Sequence, residues 1–211
     1  MTTSATLAGL YVIADTSLIE AARLIDSVAL AIAGGAHVIQ YRDKAGDRES
    51  RLRQATALAR LCENQRVPLI INDDPELAAD VGAAGVHLGR TDPSVTKTRR
   101  RLGSRAIIGI SCYNQLELAL AAEAEGANYV AFGSFYSSTT KPKAVRAAPT
   151  LLRTAKRQLN IPVVAIGGIT PENGAALINA GADSLAVIQG VFKQTDIRQA
   201  AYRYALLFSR P

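Results

Sequence analysis

The chain has 211 residues, of which 48% are hydrophobic and 20% charged. That composition at that length buries a sizeable core and excludes intrinsic disorder, and no uninterrupted apolar run approaches the roughly 18 residues of a membrane span. Twenty-four basic residues against 18 acidic ones leave +6, and 18 of the 24 are arginine, which implies either a polyanionic polymer as partner or small anions held in a pocket.

The start, Met1 to Leu10, carries no basic residue ahead of its short apolar stretch, so no signal peptide is expected. Two cysteines, Cys62 and Cys112, give neither a disulfide framework nor a metal-ligand cluster, and a reducing cytoplasm is the expected compartment.

Eight short apolar runs follow one another along the chain: Leu10–Ala14, Val38–Tyr41, Leu69–Asn72, Val86–Leu88, Ile107–Ile110, Tyr129–Phe132, Val163–Ile166 and Leu185–Ile188. Continuous apolar character marks strands buried on both faces, as in a parallel sheet. Between them lie helical segments. Leu52, Ala55, Leu58, Ala59, Leu61 and Cys62 keep one apolar face, with Arg51, Arg53, Gln54 and Arg60 opposite, and Leu116–Glu125 is rich in Ala, Leu and Glu. Gly34-Gly35, Gly82, Gly126 and Gly181 each precede a strand, where glycine ends a helix in the left-handed conformation. Eight such units in 211 residues leave about 26 residues each, enough for a closed barrel. Residues 1–211 are therefore expected to form a single-domain (β/α)8 TIM barrel, in preference to a doubly wound sheet.

That fold places chemistry at the C-terminal ends of the strands, and polar residues stand there in turn. Asp15 ends the first. In Gln40-Tyr41-Arg42-Asp43-Lys44, the residues Gln40, Arg42 and Lys44 recur at period two as converging donors for an anion. Asn72-Asp73-Asp74 ends the third strand, and Asp92 follows the fourth. A few hard oxygen ligands beside phosphate-binding cations suit Mg²⁺. Asp74-Pro75 reads as a helix start, and Asp92-Pro93 could serve as cap and ligand at once.

Ser111 ends the fifth strand with no partner that marks it as a nucleophile. His37 is expected to open strand two and His87 to pack within strand four; Cys112 reads as a small buried residue. After strand six, the stretch from Gly133 to Lys143 carries Ser138, Thr139, Thr140 and Lys141 and suits a lid over phosphates. Gly167-Gly168 leads into a helix N-terminus, a ready phosphate cradle. Two anion sites with a metal at one suggest a diphosphate donor joined to a phosphorylated acceptor.

These motifs together resemble the thiamine-phosphate synthase family. The resemblance runs over nearly the whole chain: Gln-x-Arg-x-Lys at 40–44, Asn72-Asp73, His87-Leu88-Gly89-x-x-Asp92, Gly109-Ile110-Ser111, the hydroxyl-Lys loop at 138–141, Ala165-Ile166-Gly167-Gly168-Ile169 and Ala186-Val187-Ile188. It implies a (β/α)8 transferase that couples a hydroxymethylpyrimidine diphosphate to a thiazole phosphate and releases diphosphate. By that resemblance Gln40, Arg42, Lys44, Asn72, Ser111 and Lys141 contact the pyrimidine diphosphate, and Tyr41, Asp43 and Thr139 belong to the same substrate-binding runs at 40–44 and 138–141. Arg42, Lys44 and Lys141 act on the departing diphosphate, while Asp73 and Asp92 hold Mg²⁺. Ser138, Thr140, Gly168, Ile188 and Gln189 hold the thiazole phosphate. Three positions depart from the family's usual residues: Arg90 for glutamine, Ser138 for threonine and Gln189 for serine.

The related thiazole tautomerases share the fold but do not need the cations or the aspartate pair. Nucleic acid is not an expected partner, because Arg99-Arg100-Arg101 lacks interleaved aromatics and reads as a solvated helix face. The expected partners are small-molecule substrates, with no membrane and with room for a homodimer.

Overall fold

Each of the eight apolar runs forms a strand. The computed structural model describes residues 7–137 and 145–209. The strands are β1 (Gly9–Asp15), β2 (Ala36–Arg42), β3 (Leu69–Asn72), β4 (Gly85–Leu88), β5 (Ile107–Tyr113), β6 (Tyr129–Phe132), β7 (Val163–Ile166) and β8 (Ser184–Val187). All pair in parallel in sequence order, and β8 returns to β1 to close the barrel. The closing register sets Gly9 against Ser184 and Val12 against Val187. β8 ends one residue short of the expected Ile188, which caps the short helix that follows.

The outer layer consists of α1 (Leu24–Ala33), α2 (Arg48–Gln65), α3 (Pro75–Asp80), α4 (Val95–Leu102), α5 (Leu116–Ala124), α6 (Pro149–Gln158), α7 (Pro171–Asn179), α8 (Gln189–Phe192) and α9 (Ile197–Ala205). Gly35, Gly82, Gly126 and Gly181 adopt φ of 100°, 65°, 92° and 114°, the left-handed turn expected where a helix hands over to a strand. The long α2 ends instead on Arg66 at φ 56°. None of the described helices is long and apolar enough to cross a membrane.

Period-two alternation divides the core in two. Leu10, Val12, Ile39, Ile71, Val86, Ile108, Val130, Ala165 and Leu185 face outward and pack under the helices. Leu7, Tyr11, Ile13, Val38, Ile70, Ile107, Tyr129, Val164 and Ala186 fill the barrel interior. The same alternation carries the inward face of each strand up to one common rim.

At the opposite end of the barrel, Arg99 departs from the solvated reading. Its guanidinium donates to the carbonyls of Ala106 and Gly126 and to Asn128 Oδ1, the last at 2.6 Å. Asn128 Oδ1 also accepts from the Ile108 amide at 2.9 Å, so Arg99 clips the helix–strand turns around β5 and β6. Arg101 pairs with Glu76 at 2.7 Å.

Gly85 opens β4 directly against Ile107, and a methyl group there would be driven into the Ile107 carbonyl. Gly85→Ala should therefore destabilise the protein by roughly 3 kcal/mol, since backbone gives way less readily than a side chain. Chemical denaturation should show this as a lower midpoint with an unchanged slope.

Candidate active site at the barrel mouth

The rim is built first from the β1 and β2 ends. Asp15 is 1% exposed and forms an ion pair with Arg42. The Ser17 amide and hydroxyl donate to Asp15 Oδ1 at 3.0 and 2.6 Å, and the Thr16 amide donates to the Arg42 carbonyl at 3.0 Å. The β1 turn thus templates the β2 end, and Arg42, expected as an anion donor, stands on a buried carboxylate. This partner was invisible in sequence because 27 residues separate the two.

β2 stops at Arg42, so the period-two reading covers Gln40 and Arg42 but not Lys44. Lys44 lies in the following turn and reaches Asp73. Two neighbours in that run serve the scaffold with their side chains. Tyr41 faces outward, 1% exposed, and donates to Gln54 Oε1 on α2 at 2.7 Å. Asp43 Oδ1 accepts the Ala45 and Gly46 amides at 3.0 and 2.8 Å. Against the upward push of burial, these amides hold its carboxyl below the usual range.

The β3 and β4 ends bring two carboxylates together. Asn72 closes β3, and Asp73 follows it at φ 62° with its amide on the His87 carbonyl at 2.8 Å. A non-glycine residue in this region is strained, and such positions concentrate at functional sites. The turn sets Asp73 against both Lys44 and Asp92. Burial, then the neighbouring Asp73, lifts the Asp92 carboxyl above its ordinary value, although the Gly89 amide pulls the other way with a 2.6 Å bond to Asp92 Oδ2. Burial also works to raise Asp73, but Lys44 and a hydrogen bond from Asp92 leave it lowered.

Asp74 caps α3 as expected, accepting the Leu77 amide at 2.9 Å, with Pro75 in the first turn. Asp92 caps nothing: α4 begins at Val95 under Ser94, which takes the Lys97 amide. Arg90 lies 4.9 Å over the ring of Tyr113, a cation–π seat.

His87 packs within β4 as expected, yet the ladder gives Ser111 a histidine partner that sequence order hid. His87 pairs with Gly109 of β5, and Ser111 is two residues further on the same face. His87 Nε2 lies 2.8 Å from Ser111 Oγ, while His87 Nδ1 lies 3.0 Å from Tyr129 OH. A phenol stands where a nucleophilic triad needs a carboxylate, so this dyad does not revive acyl transfer. Tyr11 and Tyr129 were missed as site residues. The available signal was a tyrosine inside a fully buried strand, whose hydroxyl needs a partner.

The last side of the mouth belongs to β6–β8. Ser138, Thr139, Thr140 and Lys141 lie outside the described residues. The flanking chain is tied together: the Ser134 amide donates to Val145 O at 2.9 Å, the Ala147 amide to Ser134 O at 3.0 Å, and Arg146 to Ser137 Oγ at 2.5 Å. This clasp lies on the glycine turn, with the Phe135 and Tyr136 amides on the Ile166 and Gly167 carbonyls at 3.1 and 2.9 Å. A methyl on Gly167 would meet Ser134, and one on Gly168 would meet the Tyr136–Ser137 backbone. Gly167-Gly168 therefore accommodates the β6 segment as well as leading into α7. Ile188 and Gln189 cap and open α8 at the end of β8, beside this turn in the barrel order.

Comparison with known proteins agrees with this architecture. Residues 10–191 match the thiamine monophosphate synthase family. A thiamine-phosphate synthase of Nitrosococcus oceani is 55% identical over 201 residues, covering 95% of this chain and 93% of its own. One from Thiobacillus denitrificans is 54% identical, covering 89% of each. The solved thiamine phosphate pyrophosphorylase of Pyrococcus furiosus superposes with a TM-score of 0.85 at 33% identity, over 95% of both chains. The chain belongs to the thiamine monophosphate synthase family of transferases.

Proposed function

We propose that the protein couples 4-amino-2-methyl-5-(diphosphooxymethyl)pyrimidine to a thiazole phosphate in a Mg²⁺-dependent reaction, giving thiamine phosphate and diphosphate. The observation that carries this reading is the grouping of Arg42, Lys44, Asp73 and Asp92 at neighbouring strand ends, in a chain 55% identical to a thiamine-phosphate synthase.

The donor set fits the metal. Asp73 and Asp92 lie close enough to share a hydrogen bond, an arrangement that calls for a proton or a cation between them. Among the described residues, no third acidic, histidine or cysteine side chain completes a closed metal cluster. Two carboxylates suit Mg²⁺, which keeps several waters and shares its shell with substrate phosphates. When bound, Mg²⁺ would supply positive charge against the diphosphate.

Arg42, braced by Asp15, offers its remaining N–H groups to the diphosphate, and the more exposed Lys44 ammonium can turn from Asp73 toward the same oxygens. Lys141 is assigned the same task. These cations act where charge grows as the carbon–oxygen bond breaks and diphosphate leaves with the bonding pair. The amino-pyrimidine stabilises the cation left on its methylene, and the thiazole nitrogen donates its electron pair to that carbon. No thiolate takes part: burial pushes the thiols of Cys62 and Cys112 up to about 12. The thiazole phosphate is assigned to the Gly167-Gly168 turn, Ile188 and Gln189, with Ser138 and Thr140.

Incubation with both substrates should yield thiamine phosphate in the presence of Mg²⁺ and only background after chelation; no product with any divalent cation rejects the reading. Lys141→Ala should lower kcat on the order of 10²-fold, as for loss of one transition-state charge donor, with unchanged circular dichroism.

Because the Asp92 carboxyl is raised in the fold, its ionisation weakens the protein as pH rises through that raised value. Asp92→Asn keeps an acceptor for the Gly89 amide and removes this penalty. Its thermal midpoint at neutral pH should match or exceed the parent's, while Mg²⁺-dependent turnover is lost. A lower midpoint at every pH would contradict the carboxylate pairing.

A further inference from the structure

Below the rim, five side chains from five strands form one unbroken hydrogen-bonded chain across the barrel interior. Gln40 Nε2 of β2 donates to Tyr11 OH of β1 at 2.8 Å, and Tyr11 OH meets Tyr129 OH of β6 at 2.8 Å. Tyr129 OH meets His87 Nδ1 of β4 at 3.0 Å, and His87 Nε2 meets Ser111 Oγ of β5 at 2.8 Å. Tyr11 is 1% exposed, Tyr129 0% and Gln40 3%. Tyr129 fits because its neighbour across the ladder is Gly109, where a methyl group would strike the phenol ring. Its ring also stacks on the His87 imidazole, with centroids 5.5 Å apart.

Proton counting fixes how this chain behaves. A phenol has one proton to give, and a neutral imidazole has one donor and one acceptor nitrogen. Burial holds both phenols well above their ordinary range, so both keep their protons. With His87 neutral, every link then runs in one direction, because a phenol that accepted from both sides would leave its own buried proton unpaired. With the Gln40 amide leading, protons pass from Tyr11 to Tyr129 to His87 Nδ1, and His87 Nε2–H donates to Ser111. The Gln40 carbonyl and the Ser111 hydroxyl proton are then both left for a ligand. With Ser111 leading, every link reverses once the Gln40 amide turns over to set its carbonyl on Tyr11 OH: the Gln40 carbonyl and the Ser111 proton are both engaged inside, and only amide N–H groups and serine lone pairs remain.

We infer that Tyr11, Tyr129 and His87 are positioning residues that couple Gln40 to Ser111, so that the site reads the donor and acceptor groups of its heterocyclic substrate at both ends together. The inference rests on the proposed reaction and on the contacts with the pyrimidine diphosphate that the family resemblance implies for Gln40 and Ser111. A ring that donates to the Gln40 carbonyl finds a donor at Ser111, as an aminopyrimidine with an exocyclic amine and ring nitrogens can use. Tyr129 adds no contact to the reacting atoms; it transmits a choice made at one end to the other.

A double-mutant cycle tests this, because coupling between groups that share a network appears as non-additivity. Gln40→Ala and Ser111→Ala, singly and together, are measured for kcat/KM of the pyrimidine diphosphate at saturating thiazole phosphate and Mg²⁺. The same set is measured in a Tyr129→Phe background, with thermal unfolding as a check on folding. In the parent, the combined loss should fall short of the product of the single losses by about fivefold or more. In Tyr129→Phe the losses should become multiplicative, and Tyr129→Phe alone should raise KM for the pyrimidine more than it lowers kcat. Tyr11→Phe breaks the same chain one link nearer Gln40 and should uncouple the ends equally, which keeps the test intact if Tyr129→Phe does not fold. Multiplicative losses in the parent overturn the proposal, as an imidazolium donating at both nitrogens would produce. Coupling that survives both phenylalanine variants also overturns it. Absence of product from the parent protein overturns the reaction assignment itself, and with it this inference.

Discussion

Closure of the β1–β8 ladder is the constraint from which the rest of the molecule follows. Once β8 pairs with β1, no strand keeps a free edge, and backbone polar groups within the sheet are satisfied by neighbours. Alternation then sorts side chains into an outer shell under the helices and an inner column. Parallel strands end at one common rim, so the residues that finish each inward row converge whatever their separation in sequence. Asp15, Arg42, Asn72, His87 and Ser111 come from residues almost a hundred positions apart and meet for that reason alone.

Arg42 and Lys44 at the rim are each balanced by a carboxylate before any ligand arrives. Arg42 stands on Asp15 and Lys44 on Asp73, while Asp92 is pressed against Asp73. The two pairs differ in kind. Asp15 is buried at 2% side-chain exposure and Arg42 is at 20%, so their bond costs desolvation and serves geometry. Lys44 is 56% exposed, and its ion pair is weak and exchangeable. One cation is a fixed reference and the other is free to follow charge. The +6 excess of the whole chain says little about this, since Arg99 and Arg101 serve carbonyls and a carboxylate elsewhere.

What could be read from the sequence was whatever depends on local pattern. The eight strands were legible because each is buried on both faces and therefore apolar without alternation. The turns were legible because glycine marks positive φ, and Asp74 because a cap and its proline are adjacent. What depends on register was not legible. The Asp15–Arg42 pair and the His87–Ser111 contact need the alignment of neighbouring strands, which no spacing along the chain encodes. Asp92-Pro93 resembled a helix start, but Ser94 lies nearer the first turn and takes the cap, which releases Asp92 for Gly89 and Asp73. Tyr11 and Tyr129 counted as apolar core, so the hydroxyls that join five strands were hidden inside the pattern that revealed the strands.

The clasp at Ser134 to Ser137 seated on Gly167 and Gly168 has an evolutionary consequence. Because neither glycine can gain a side chain without displacing the segment from β6, the two stretches are interlocked in mutational space. Diversification of the Ser134–Ser137 segment has to proceed with the β7 turn held constant. Drift at the β7 turn, in turn, requires a compensating change more than 30 residues upstream.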